Sequence, residues 1–338
     1  MRRGAVVLAL VPALAALAAC EHAQPFGAAS REPNVPFVNG FPRQLTFSAG
    51  ADLRPAWLPD GSGIIYSFEL VQQDHDRCLG ILPAEGGHLT QSICHVPAML
   101  DADSTNVLTE PAVGPGGRLA YLRATSMVGA LSPSRLNLVV ASLDDPEPGR
   151  AVIGFPYTAV DGLLHASASH LAWVGSTALV YLAEQVTYFT HGSFADTIVA
   201  PLEIVQASLA GDSATLTLVP GTAGATSLAV DSSGAIIFTL PGDTHVYRLA
   251  SVGGAPGVLY DFGSAGVPSD VQVSGKVLVA LIGSRLVRAR VGDSVVVQIP
   301  SPDTTQTMRR PALAPSGSRV VVELSRNAPA NLWLLQVP

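Results

Sequence analysis

The 338-residue chain is 48% hydrophobic and only 13% charged, with a formal net charge of -7 at pH 7. That length and apolar content can bury a large core, while the acidic balance and the lack of a basic stripe exclude the electrostatic footprint of a nucleic-acid partner. Abundant Gly (32) and Pro (26) among β-branched residues indicate all-β structure with many short strands, and no segment beyond the N-terminus carries a convincing 3.6-residue apolar period.

The chain opens with Arg2-Arg3 and then Gly4 to Ala19, an unbroken apolar or small stretch too short for a comfortable transmembrane helix. It ends in Leu17-Ala18-Ala19-Cys20, which resembles a bacterial lipobox. The resemblance implies a lipoprotein signal peptide over 1–19 and a diacylglycerol-bearing Cys20, with a plain secretory signal or an uncleaved anchor as the alternatives. Several acyl chains on one residue anchor a protein stably. Residues 20–42 mix Gln, Pro, Gly, Ala, Ser and charge, and read as a lipid-anchored flexible tether. Glu21 rather than Asp after the cysteine resembles the sorting pattern of outer-membrane lipoproteins, which places the protein in the bacterial cell envelope, on the periplasmic side of the outer membrane.

A phrase of apolar strand, tight turn and apolar strand then recurs six times. It runs Arg54-Pro55-Ala56-Trp57-Leu58-Pro59-Asp60-Gly61 into Ile64-Ile65-Tyr66, then Glu110-Pro111-Ala112-Val113-Gly114-Pro115-Gly116-Gly117 into Leu119-Ala120-Tyr121. Weaker copies start at Leu171, Ser227 and Pro268, and a strong one runs Arg310-Pro311-Ala312-Leu313-Ala314-Pro315-Ser316-Gly317. A repeat of this size means a propeller or solenoid. Extended to four strands each, the repeats predict blades near 54–94, 110–155, 170–219, 226–262 and 269–299. A three-stranded blade near 310–337 remains. Arg43-Gln44-Leu45-Thr46-Phe47, ahead of the first repeat, supplies its fourth strand and closes the ring. Within the first blade, a hairpin centred on Gly86 sets Cys78 opposite Cys94, within disulfide reach and in a compartment that permits a bridge. His75, His88 and His95 are close in sequence but scattered by strand alternation, and no metal site or other cofactor is expected there.

Arg43-Gln44-Leu45-Thr46, together with Arg54-Pro55-Ala56-Trp57-Leu58-Pro59-Asp60-Gly61 and Tyr66-Ser67, resembles the repeat of TolB-type β-propellers, of the WD-repeat kind. The first, second and last copies match well, and the middle three have drifted. The resemblance implies a six-bladed β-propeller over 43–338, built of four-stranded antiparallel blades. It transfers no function, because one propeller fold hosts many.

The repeat spacing places the extra residues of the first three blades on one face, in Glu69–Asp76, His95–Thr109, Ala124–Arg135, Pro156–Ser169 and Glu184–Pro201. Insertions gathered on one face mark a binding face. Tyr188, Phe189, His191 and Phe194 crowd the last of these, with Phe155, Tyr157 and Met127 nearby. They read either as a partner-binding surface or as side chains packed beneath their own loops. The inner strands begin on the same face, at Arg54, Glu110, His170, Thr226, Asp270 and Arg310. This mixed ring either holds an anionic peptide end, a small ligand or a cation, or lines the channel as a salt-bridge ring.

Catalytic signatures are weak. No Gly-x-Ser-x-Gly elbow or His-Glu-x-x-His is present. Asp74-His75-Asp76 reads either as a metal-binding or acid–base triplet or, on a loop, as solvated charge, the reading favoured, and Asp101-Ala102-Asp103-Ser104-Thr105-Asn106 lacks the glycine and distal glutamate of a calcium loop. The leading expectation is a monomeric, non-enzymatic envelope protein that binds a protein or peptide partner. The alternatives are a periplasmic hydrolase, lactonase or lyase with its site at the channel mouth, and an envelope protein with a purely structural role.

Overall fold

The computed structural model describes residues 40–69, 76–95, 104–127, 135–147, 149–191, 194–211, 213–325 and 329–338. The signal segment, Cys20 and nearly all of the tether, along with Asp74, His75 and Asp101 to Asp103, lie outside the described residues. Residues 41–338 form one compact unit. Among the described residues no helix is long and apolar enough to cross a membrane.

In chain order the strands begin with β1 (Arg43–Gln44), followed by the meander β2 (Asp52–Trp57), β3 (Gly63–Glu69), β4 (Arg77–Pro83) and β5 (Gln91–Ile93). A second meander is β6 (Ser104–Gly114), β7 (Arg118–Met127), β8 (Arg135–Ser142) and β9 (Arg150–Phe155). A small hairpin, β10 (Tyr157–Thr158) and β11 (Leu164–His165), leads to β12 (Ser167–Val174), β13 (Ala178–His191), β14 (Phe194–Ala210) and β15 (Ser213–Leu218). Next come β16 (Ser227–Val230), β17 (Ile236–Thr239), β18 (His245–Leu249) and β19 (Gly257–Asp261), then β20 (Pro268–Ser274), β21 (Val277–Ile282), β22 (Arg285–Arg290) and β23 (Val297–Ile299). The chain finishes with β24 (Thr307–Leu313), β25 (Arg319–Ser325) and β26 (Asn331–Gln336).

These strands make a propeller-like array of four-stranded antiparallel sheets, β12 to β15, β16 to β19, β20 to β23, and β24-β25-β26-β1. The first two meanders are joined into one larger sheet by a single parallel pair, Arg77 with Val107. The innermost strands touch in cyclic order: β2 meets β6, β6 meets β12, and so on through β16, β20 and β24 back to β2. The second strand of each sheet is apolar on both faces because it lies between neighbouring sheets. Gly63–Glu69 is buried over six of its seven residues, and Val277–Ile282 over five of six. Apolar clusters fill the spaces between sheets. One runs from Leu122 and Leu138 across to Tyr181 and Val205; another runs from Leu281 and Leu286 to Val320 and Leu335.

The repeated turn works as its residues require. Gly61 (φ 73°) closes a turn by donating to the Leu58 carbonyl at 2.9 Å, and Gly317 (φ 70°) does the same to Ala314 at 2.8 Å. Tryptophans staple adjacent sheets. Trp57 Nε1 donates to the Ala312 carbonyl at 2.9 Å, and Trp173 Nε1 to the Ala112 carbonyl at 3.1 Å. Arg319 and Arg118 lie over these two rings, 5.4 and 5.0 Å from the centroids.

β1 joins the last sheet as expected, with Arg43 opposite Leu334 and Gln44 opposite Trp333. Thr46 Oγ1 accepts from Leu332 N–H at 2.9 Å, and Glu85 binds both Arg43 and Arg319. The disulfide also forms as expected. Leu79 pairs with Ile93, which sets Cys78 opposite Cys94 with 4.5 Å between Cα atoms.

Of the long insertions, Glu69–Asp76, His95–Thr109 and Ala124–Arg135 lie largely outside the described residues, and the described parts of two are strand rather than loop. Glu184–Pro201 is strand throughout its described residues, continuing β13 and β14 as a two-stranded ribbon with Val186 opposite Val199 and Tyr188 opposite Thr197. Likewise β6 begins at Ser104 rather than near 110, and its first residues pair with the end of β7. Paired backbone satisfies its own polar groups, which an irregular loop of that length does not.

Candidate functional site

Five ring residues share one backbone device. Arg54 (φ 55°), Glu110 (51°), His170 (53°), Asp270 (46°) and Arg310 (44°) all have left-handed backbone. Each sits at a register shift in its inner strand, as between Leu53 and Ala56 or between Thr109 and Ala112. The same shift falls at 169/172, 269/272 and 309/312. A β-bulge re-aims one side chain out of the ladder, and left-handed backbone at a non-glycine residue costs roughly 1–3 kcal/mol. Repetition of that cost at equivalent positions marks a built feature. Thr226 departs from it: it lies just before β16 without positive φ and bonds Thr239 instead. Arg54, His170, Asp270 and Arg310 thus lie near the starts of their strands, as expected, while Glu110 lies well inside the longer β6.

The side chains converge on one another. Arg54 Nε lies 3.0 Å from Glu110 Oε1, and the second Glu110 oxygen accepts from His170 N–H at 2.8 Å. His170 Nε2 lies 3.0 Å from Asp270 Oδ1, while Arg310 Nη1 rests against both imidazole nitrogens at 3.0 and 2.7 Å. Glu323, on β25, accepts from Arg54 N–H at 2.6 Å. On the far side of His170, the Ser169 hydroxyl donates to Glu184 Oε1 at 2.6 Å and lies 2.9 Å from His170 Nδ1. This is a mutually paired salt-bridge ring.

Its electrostatics follow from crowding. Burial pushes Glu323 up to about 7, helped by Glu110 and Asp270 against the pull of Arg54. Burial likewise raises Glu184. Burial alone would lower the His170 imidazole, but the hydrogen bond to Asp270 and the charges of Glu110 and Asp270 outweigh it, and the net shift is upward. The ring does not offer a metal site, because the Arg310 cation already stands against His170 and Asp270. Ser169, His170 and Asp270 form a hydrogen-bonded row of the kind that activates a serine, yet Ser169 is only 3% exposed and its hydroxyl is committed to Glu184.

From the ring a cavity of about 400 Å³ runs toward the turns at Pro59, Pro115 and Pro315. Its walls are mixed: Ala56, Ala112, Ala172 and Ala312 recur two positions after a ring residue, beside Trp57, Trp173, Asp231 and Gln272. Beyond the ring the acidic residue among the lining is Asp231, whose carboxylate is bonded to Arg248.

The predicted aromatic cluster is divided by the structure. Phe155 is buried between sheets and Tyr157 packs against the same cluster. Tyr188 and Phe189 are 49% and 42% exposed on the ribbon, so the reading that they pack beneath their own loop does not hold for them. His191 and Phe194 are paired across the ribbon near its end. Ile198 and Val199 on the returning strand are 54% and 50% exposed; neither entered the sequence reading. Strand alternation puts Tyr188 and Val199 on one face of the ribbon, and Phe189 and Ile198 on the other.

No family model and no curated sequence matches the chain. Solved structures do. An oligogalacturonate lyase in complex with manganese aligns with TM-score 0.54 and 13% identity over 87% of this chain and 79% of that one. The gluconolactonase XC5397 from Xanthomonas campestris aligns with TM-score 0.53 and 14% identity over 88% and 90%. The WD40 repeats of RRP9 align with TM-score 0.50 and 11% identity over 88% and 97%. At these identities the likeness establishes a β-propeller fold and leaves activity open.

Proposed function

We propose that the chain is a lipid-anchored, six-bladed, TolB-like β-propeller of the bacterial cell envelope that binds a protein or peptide partner through the face carrying the β13–β14 ribbon. Counting the larger sheet as two blades gives the six. The observation that carries the reading is the ribbon itself. From Glu184 to His191 it runs roughly 23 Å beyond the ring at about 3.3 Å per residue. It presents Tyr188, Phe189, Ile198 and Val199 to solvent on both of its faces. An isolated two-stranded ribbon gains little from such side chains in water, whereas exposed aromatic and aliphatic groups are the usual anchors of an interface. Anchoring at Cys20, on the periplasmic side of the outer membrane, and a monomeric state belong to the same proposal.

Photo-crosslinking in intact envelopes tests it. A benzophenone amino acid at Tyr188 or Phe189 should yield one adduct of defined mass, and the same group at Ser232, on the turn side, should yield none. Equal labelling at all three positions, or none at any, would remove this face as the binding surface. Replacing Cys20 with Ser should abolish lipid incorporation and release the protein from the membrane fraction.

A second reading, an enzyme of hydrolase, lactonase or lyase type, draws on the Ser169–His170–Asp270 row. The committed serine weighs against it. Turnover of a sugar lactone or uronate oligomer that disappears in His170→Gln would favour it over the interaction module.

A further inference from the structure

Between the second and third meanders, away from the ring, a His and two carboxylates meet in an arrangement that the ring chemistry does not use. The β10–β11 hairpin turns at Asp161-Gly162, where Gly162 (φ 83°) donates to the Ala159 carbonyl at 2.9 Å. Asp161 Oδ1 accepts from Leu163 N–H at 2.9 Å, which fixes the direction of that carboxylate. Four residues on, His165 is fully buried. Its Nδ1 lies 2.9 Å from the Tyr157 hydroxyl, which in turn lies 2.5 Å from the hydroxyl of Tyr181. Glu203 reaches in from β14, close to where the ribbon leaves the sheet.

One ligand atom from each of Asp161, His165 and Glu203 falls within 4.8 Å of the others. His165 Nε2 and Glu203 Oε1 are both buried without a hydrogen-bond partner, although they stand only 3.3 Å apart. Two atoms at ion-pair distance without hydrogen-bond geometry are placed as ligands directed at a common third point. Leaving a buried imidazole nitrogen unsatisfied costs about 1–3 kcal/mol, so the arrangement calls for an occupant.

We propose that Asp161, His165 and Glu203 bind a divalent transition-metal ion of the zinc or manganese type. The donor set of one imidazole nitrogen and two carboxylate oxygens suits such ions, whereas calcium takes oxygen ligands alone. Two carboxylates neutralise a dipositive ion. Tyr157 at Nδ1 is the outer partner that metal-bound histidines need, since it holds Nε2 as the free lone pair. Asp161 is exposed, so the solvent side of the ion keeps positions for water or a partner's donor. The ion would tie the β10–β11 turn to the root of the projecting ribbon.

The test uses the full-length protein in detergent, stripped of metal. Titration with Zn²⁺ or Mn²⁺ should show one saturable site, and bound Mn²⁺ should show imidazole nitrogen coupling in pulsed EPR. Asp161→Asn, an exposed change, should weaken binding more than about tenfold, since even outer partners of a metal ligand are worth about 10–100-fold. His165→Gln should remove the nitrogen coupling. His245→Gln serves as control, because His245 also sits between two carboxylates, Asp243 and Asp261, but is half-exposed and already hydrogen-bonded. Circular dichroism checks each variant; should His165→Gln fail to fold, Asp161→Asn and Glu203→Gln decide. No saturable binding, unchanged affinity in Asp161→Asn, or nitrogen coupling that follows His245 instead would overturn the assignment.

Discussion

Glu323 makes the ring measurable. An unfolded glutamate titrates near ~4.3, while in the folded ring burial holds Glu323 up to about 7. The folded state therefore keeps the proton longer, so this group's contribution to stability is greatest at low pH and falls as pH rises from about 4.3 to about 7. Denaturant melts of Glu323→Gln, which keeps an acceptor for Arg54 N–H, should lose that slope. The change is roughly 3–4 kcal/mol across the window; an unchanged slope would assign it to another group. A second residue-scale prediction concerns Gly114, where an added Cβ would stand 2.6 Å from the Trp173 ring. Gly114→Ala should destabilise by about 1–3 kcal/mol through overpacking, measured as a lower midpoint at unchanged m-value. The ring residues were legible because each lies at or beside the start of a copy of the repeated phrase. Their bulged, left-handed backbone was not, since nothing in a charged side chain announces positive φ. Asp161, His165 and Glu203 were invisible for another reason: the first lies in a hairpin turn, the second on the short strand after it and the third on a strand beyond the ribbon, with no local spacing to read.

At the level of elements, the ribbon and the disulfide separate what sequence shows from what it hides. The Cys78–Cys94 pairing was legible because a short hairpin has a single centre, and distance from it fixes the partner. The ribbon was taken for a loop because strand recognition leans on alternation between a buried and a wet face. Here Tyr188 and Phe189, adjacent in sequence, are both exposed, and no alternation exists to detect. Replacing residues 186–199 with a short turn should leave the melting temperature within a few degrees of the parent, because the excised side chains bury little; a collapse of the fold would show that the ribbon supports the sheet. Removing the bridge is the opposite case. Closing a loop of sequence separation 16 is worth about 3 kcal/mol in the unfolded chain, so Cys78→Ala with Cys94→Ala should lower the denaturation midpoint markedly under oxidising conditions and little under reducing ones.

For the whole molecule, the decisive feature is that the last strand, β26, is paired with the first, β1, in one sheet. Glu85 adds a clasp by holding Arg43 and Arg319. Glu85→Ala should loosen this seam selectively, seen as faster amide exchange in β1 and β26 with the other sheets unchanged, since exposed pairs are each worth about 0–1 kcal/mol. Closure by strands from opposite ends of the domain was legible from the three-stranded last repeat and the Arg-x-Leu-Thr strand ahead of the first.

That seam also sets an order of events. Thr46 and Leu332, which meet in it, stand 286 residues apart. The other sheets each draw on neighbouring stretches of chain and can assemble as those stretches emerge, but β1 has nothing to pair with until β26 has been made. Bringing such distant segments together is the slow, entropically costly part of folding. A chain built this way cannot shut its ring until its last strand is made, and one cut short by even that strand has sheets but no circle.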